Sequence, residues 1–176
     1  MPDNFQPAIA FTLHEEGGFS NDSLDPGGIT NLGVTIAVWR DWVGHTVTAA
    51  DMHALTVAVV TPLYRARYWQ ALNGDALAAI APGVALCAFD FGVNSGDSRA
   101  ARVLQSLVGA SADGHLGNGT LGSITSFLHS NGQAELVRRY VKARLDFLKT
   151  LPGWLHFGGG WAARCSRVET AALKLC

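Results

Sequence analysis

The run from Val84 to Val93 is apolar at every position but Asp90 and stops at Asn94-Ser95-Gly96. Such a stretch is too short to cross a bilayer and too apolar all round for a surface helix, so it reads as a central helix buried on every side. The rest of the chain must then supply elements that wrap around it. With 176 residues, 48% hydrophobic and 15% charged, there is enough apolar material for one compact domain, and a disordered or collagenous chain is excluded.

The surrounding periodicity is helical. Phe5, Ile9 and Leu13 recur at i, i+4 and predict a first helix over Phe5 to Glu16, stopped by Gly17-Gly18. From Phe19 to Val38 the period breaks into turn chemistry, with Ile29-Thr30 and Val34-Thr35-Ile36 as two short pieces of a small hairpin. Thr48 with Asp51 resembles a capping box, and Val59, Leu63, Tyr64, Tyr68 and Trp69 mark a later helix that Pro62 kinks or starts. Further helices are expected at about 98–108, 120–129, 134–151 and 161–173, separated by glycine-rich turns. The fold class is mainly α with a small β element near the N-terminus, in one domain that leaves room for a C-terminal subdomain over about 97–176.

Several functional classes fall away on charge and cysteine content. Thirteen Lys+Arg against 14 Asp+Glu give a net charge of -1, which offers no global field for nucleic acid. The charge is uneven, however. From Glu135 onward eight basic residues (Arg138, Arg139, Lys142, Arg144, Lys149, Arg164, Arg167, Lys174) stand against three acidic ones, either a solvated helix face or a surface for an anionic partner. The longest uncharged stretch, Gly114 to Ala134, is diluted by Gly, Asn, Ser, Thr and His, so stable membrane insertion is not expected. Met1-Pro2-Asp3-Asn4 has neither the basic nor the apolar part of an ordinary secretory signal. Cys87, Cys165 and Cys176 are widely spaced and read as free thiols; neither a metal site nor a cofactor is expected. Asn21, Asp22, Ser23 and Asp25 offer oxygens but lack the closing Glu of a calcium loop.

The chemistry is concentrated around Glu16. At about 100° per residue it lies on the stripe of Phe5, Ile9 and Leu13, whereas Glu15 points away from it. A carboxyl group on the apolar side of a helix, in its last turn, is expected to hold its proton more firmly and so to serve as a proton donor; pairing with an arginine is the structural alternative. Asp25, nine residues on in a turn rich in amides, would stay ionised. Two carboxyl groups in contrasting surroundings suit glycoside hydrolysis, although Asp25 also reads as an ordinary turn residue before Pro26. Thr30 and Thr35 could hold water or orient a carboxylate. Tyr64, Tyr68, Trp69, Trp154, Phe157 and Trp161 are aromatics that either stack on sugars or pack the core.

These residues carry a resemblance. Glu16-Gly17-Gly18-Phe19-Ser20-Asn21-Asp22, then Asp25-Pro26-Gly27-Gly28, then Thr30-Asn31 with Gly33-Val34-Thr35, is similar to the signature of the glycoside hydrolase family 108 muramidases, phage-type lysozymes. It continues through Tyr64, Tyr68-Trp69, Phe89 to Gly96, Leu104-Gln105 and Asp113 to Thr120, and ends in Trp154 to Arg164, similar to that family's peptidoglycan-binding part. Phe19 replaces the usual Tyr. The resemblance implies a lysozyme-like helical fold and cleavage between N-acetylmuramic acid and N-acetylglucosamine in bacterial peptidoglycan. It assigns the catalytic acid to Glu16; more distant phage lysozymes place an Asp nine residues after that Glu and a Thr shortly after, which Asp25 and Thr30 match, and Phe19, Asn31, Tyr68, Trp69 and Asn94 are the residues expected toward substrate. A monomer is expected, made in the cytoplasm and released to the wall through a holin or a dedicated secretion route. A lytic transglycosylase, which needs no second carboxylate, and a non-catalytic wall-binding module are the alternatives.

Overall fold

The computed structural model describes residues 3–20 and 28–176, and 72% of it is helical. Helix α1 (Phe5–Glu16) leads into the strands β1 (Thr30–Asn31) and β2 (Val34–Thr35), which pair antiparallel with Thr30 opposite Thr35. There follow α2 (Ile36–Val43), α3 (Ala49–His53) and α4 (Val57–Tyr64), the last running directly into a π-helical turn over Arg65–Trp69. The larger elements are α5 (Gly74–Ile80), α6 (Pro82–Ser95), α7 (Asp97–Leu107), α8 (Asn118–Asn131), α9 (Gln133–Lys149) and α10 (Trp154–Leu173).

Helix α6 is the buried axis that its composition requires. Every residue from Gly83 to Gly92 is buried, and α1, α5, α7, α9 and α10 all pack against it. Phe89 anchors one side: its ring meets Phe5 at 5.5 Å and Trp69 at 5.8 Å, and Phe5 and Trp69 lie 5.3 Å apart. The core continues through Leu136, Val137 and Tyr140 of α9 and Val168 and Ala172 of α10. Burying these side chains contributes about 1.5–3 kcal/mol for each large apolar group, which holds the two ends of the chain on the same axis. Cys87 and Cys165 are free and buried, and Cys176 is free and exposed. Among the described residues no helix is long and apolar enough to cross a membrane.

Several boundaries differ from the sequence reading for identifiable reasons. The box at Thr48 forms as expected: its hydroxyl caps Asp51 N while the Asp51 carboxylate accepts from Thr48 N. Ile36 is helical, not the end of a strand, because Thr35 Oγ1 accepts from Val38 N at 3.2 Å and caps α2. Helix α5 is additional; it starts after Asn73, whose left-handed backbone ends the preceding turn. Helix α10 begins at Trp154 and runs straight through Gly158-Gly159-Gly160, which the sequence suggests as a turn. Packing decides that: a Cβ on Gly158 would lie 2.7 Å from the Trp154 indole, so the ring seats directly on bare helix backbone.

Candidate active site

Glu16 is the last residue of α1, and its side chain retains 19% exposure at the surface beside the hairpin. Its Oε1 accepts from Arg164 Nη2 at 2.6 Å, so α1 and α10 are joined across 148 residues of sequence. Arg164 is itself anchored from below. Its Nη2 also donates to Asp90 Oδ1 at 2.7 Å and its Nε to Asp90 Oδ2 at 3.2 Å. Asp90 is the single charge of the apolar run in α6 and is fully buried. It further accepts from Arg144 Nη1 at 2.6 Å and from the hydroxyl of Thr12, one turn before Glu16 on α1, at 3.1 Å. Burial opposes ionisation of Asp90, but the Arg144 and Arg164 guanidiniums outweigh it and hold its carboxyl below the usual carboxylate range. Burial likewise opposes the charge on Arg164, and Asp90 and Glu16 together more than restore it.

The other oxygen of Glu16 faces the hairpin turn. Leu32 (φ 50°) and Gly33 (φ 73°) are both left-handed, the geometry of a tight two-residue hairpin loop. Tyr64 donates to the Leu32 carbonyl at 2.8 Å and thereby ties the turn to the end of α4. A Cβ on Gly33 would fall 2.6 Å from the Tyr64 hydroxyl and 3.0 Å from Glu16 Oε2, so glycine keeps the carboxylate and the phenol side by side. Burial, with Glu16 and Tyr68 nearby, pushes the Tyr64 phenol far up, and the hydroxyl stays a donor. Tyr68 stacks on Tyr64 at 5.6 Å; burial raises its phenol too, against Arg67 and reinforced by Glu16 and Asp97.

Glu15, off the stripe of Phe5, Ile9 and Leu13, is nonetheless covered by another helix. Its side chain is only 6% exposed, because Arg167 covers it with two bonds, Nε to Oε1 at 2.7 Å and Nη2 to Oε2 at 2.6 Å. The Arg167 hydrogen bonds hold its carboxyl below the usual range. Arg164 and Arg167, three residues apart on one face of α10, thus hold the two consecutive glutamates of α1.

The remaining expected site residues divide. Phe19 is exposed, with its ring edge on His53 at 5.0 Å, and Ser20 beside it exchanges both backbone bonds with Thr30 at 2.8 and 2.9 Å. Thr30 is half-buried and donates to the Gly28 carbonyl at 3.3 Å; Tyr68 is half-buried and Asn94 exposed. Asn31 and Trp69 are not available at the surface. Asn31 is buried and donates to the Met52 carbonyl at 2.8 Å, locking the hairpin to α3. Trp69 is 1% exposed, packed on Phe5 and Phe89, with its N–H on Asp75 at 2.8 Å; it is core, as is Tyr64 apart from its hydroxyl. Asp25 lies outside the described residues. Phe157 is exposed and Trp154 and Trp161 half-buried on the face of α10 that leads to Arg164.

The sequence reading names Arg164 among the basic residues of the C-terminal quarter, Tyr64 as an aromatic for sugar or core, and Asp90 and Gly33 within the motifs, but brings none of them to Glu16. For Asp90 a signal exists: a lone carboxylate in a buried helix requires cationic partners from elsewhere. The basic C-terminal quarter is where they come from. Six of its eight cations pair with carboxylates, three of them with Asp90, Glu15 and Glu16 and the others along α9.

Known proteins place this geometry. No curated protein matches the chain. The solved structure of Brucella abortus SagA is similar at 36% identity, covering 97% of this chain and 94% of that chain with a TM-score of 0.81. Residues 9–96, half of the chain and the part that holds Glu16, the hairpin, Tyr64 and Asp90, match the family described as Glycosyl hydrolase 108. The chain belongs to that family and is a glycoside hydrolase.

Proposed function

We propose that the protein is a peptidoglycan hydrolase, an N-acetylmuramidase that cleaves the bond between N-acetylmuramic acid and N-acetylglucosamine with Glu16 as general acid. The observation that carries this reading is the placement of Glu16. It is a carboxyl group at a helix end, one oxygen fixed by Arg164 and the other kept open toward the hairpin by the missing side chain of Gly33. Protonated, Glu16 gives its proton to the glycosidic oxygen as the bond to the muramic acid breaks and an oxocarbenium-like centre develops. The Tyr64 and Tyr68 phenols are poorer donors for this role, since burial raises both and so weakens them as acids.

Asp25 is the partner carboxylate in this proposal, as nucleophile, as base for water, or as charge stabiliser. Ser20 and Thr30, which bracket its segment, are bonded to each other four residues after the end of α1. Phe19, Tyr68 and Asn94 then border the sugar, and Thr30 orients water or a carboxylate. The substrate is bacterial wall peptidoglycan, reached after synthesis in the cytoplasm, and the protein acts as a monomer. Product analysis on purified peptidoglycan tests the whole reading. A new reducing end, absent with Glu16→Gln, supports the muramidase; an anhydro product reassigns the chain to lytic transglycosylase chemistry; binding without cleavage reduces it to a wall-binding module.

A further inference from the structure

We infer that Arg164 is a positioning residue for Glu16, and that buried Asp90 governs the acid at one remove by taking up part of the Arg164 charge. This rests on Glu16 being the general acid. A guanidinium bonded to a carboxylate favours its ionised form, and a general acid needs the opposite. Unshared, Arg164 would therefore oppose catalysis. It is shared: the Nη2 that reaches Glu16 also reaches Asp90, and Nε reaches Asp90 as well, so two of the three bonds of Arg164 go to the buried carboxylate. The planar fork fixes the direction of Glu16 Oε1 while Asp90 offsets the charge that accompanies that grip. Asp90 is in turn held by Arg144 and Thr12, side chains that are themselves buried, so the stack from α9 to α1 is hydrogen-bonded below the surface.

Among the described residues the other charged or titratable groups around Glu16 can be named, Asp22 and Asp25 lying outside them. On its own helix Glu15 is tied to Arg167 of α10, and His14 is exposed. The hairpin contributes no charge, the end of α4 contributes Tyr64, the π-helical turn Tyr68 and Arg67, the latter paired with Asp41, α7 Asp97, α6 Asp90, and α9 Arg144. Arg164 is thus the one cation bonded to Glu16 among the described residues, and its replacement has a defined sign.

The test is the pH–rate profile on purified peptidoglycan for wild type, Arg164→Gln, Arg164→Lys and Glu16→Gln, with the thermal midpoint of each. Arg164→Gln removes the cation and leaves Asp90 nearby, so the alkaline limb of the profile should move to higher pH. The maximal rate should fall about 10²-fold with little change in KM, because Glu16 is no longer held. Arg164→Lys keeps the charge without the fork, so the limb should stay near wild type while the rate remains low. A purely structural Arg164 would instead lower the thermal midpoint and leave the limb unmoved in both variants, and that result overturns the inference. Should Arg164→Gln not fold, a limb displaced in Arg164→Lys as far as a lost cation requires has the same force against it. An active Glu16→Gln would remove the acid assignment itself, an outcome separable from an unmoved limb in a background where Glu16→Gln is dead.

Discussion

Gly33 and Glu16 meet where a single methyl group would not fit: a Cβ on the glycine would lie 3.0 Å from both Cγ and Oε2 of the glutamate. Gly33→Ala should therefore reduce turnover about 10²-fold by displacing the carboxylate. The positive φ adds a stability loss of about 1–2 kcal/mol. Turnover on peptidoglycan and the urea midpoint separate the two effects; a fully active Gly33→Ala enzyme would show that Glu16 Oε2 does not work on that side.

Adjacent glutamates give unequal variants. Glu16→Gln should lose at least 10²- to 10⁴-fold in lysis, the contribution of general acid catalysis. Glu15→Gln removes only the grip of Arg167, whose side chain is half in solvent, so it should stay active and cost at most about 1 kcal/mol. Turbidity loss of cell walls and thermal midpoints measure both, and equal losses of activity would contradict the assignment.

Asp90 makes the fold acid-sensitive. Its folded carboxyl sits below the unfolded value of 3.8, so the stability it brings is present above that value and is lost as pH falls through the depressed one. The thermal midpoint should drop steeply below about pH 4. Asp90→Asn leaves Arg144 and Arg164 facing an uncharged amide and should cost about 3–5 kcal/mol at neutral pH. Its residual midpoint should then depend less on acid than that of wild type.

The second carboxylate can be tested directly. Asp25→Asn should reduce lysis by orders of magnitude with an almost unchanged thermal midpoint. A carboxyl–carboxyl separation from Glu16 of about 5–5.5 Å would go with retention at the anomeric carbon, and about 6.5–9.5 Å with inversion. An active Asp25→Asn enzyme would reduce Asp25 to the shaping of the turn before Pro26.

Salt should matter little to wall attachment. Most cations of the C-terminal quarter are committed to internal pairs, and among its residues only Arg138 and Lys174 have no carboxylate partner among the described residues. Sedimentation of the protein with purified walls across ionic strengths checks this, and a steep decline would restore the charged-face reading.

What was legible in the sequence was local. The periodicity of Phe5, Ile9 and Leu13 defines α1 to the residue, the Thr48 and Asp51 pair defines a helix start, and the apolar run defines the axis of the fold. Glu16 could be singled out because its helical phase and its glycine-rich surroundings lie within a few residues of it. Partners were not legible where they come from far along the chain. Nothing near Arg164 marks it as the companion of Glu16, and nothing near Trp69 says that Gly74 opens a core slot for its indole. The glycines of α10 misled for a related reason: local propensity breaks a helix at three glycines, and a tryptophan one turn earlier overrides it.

The bond between residues 16 and 164 also sets a schedule. A ribosome adding ~5–20 residues per second takes roughly 7–30 s to pass from one partner to the other. During that interval the nascent chain already contains Glu16 and the hairpin but not the arginine that pairs with Glu16. The pairing of Glu16 is among the last long-range contacts of the fold to become available, since it waits for α10 to dock. A chain that stops before α10 lacks both Arg164 and Arg167, so neither glutamate at the end of α1 has its partner.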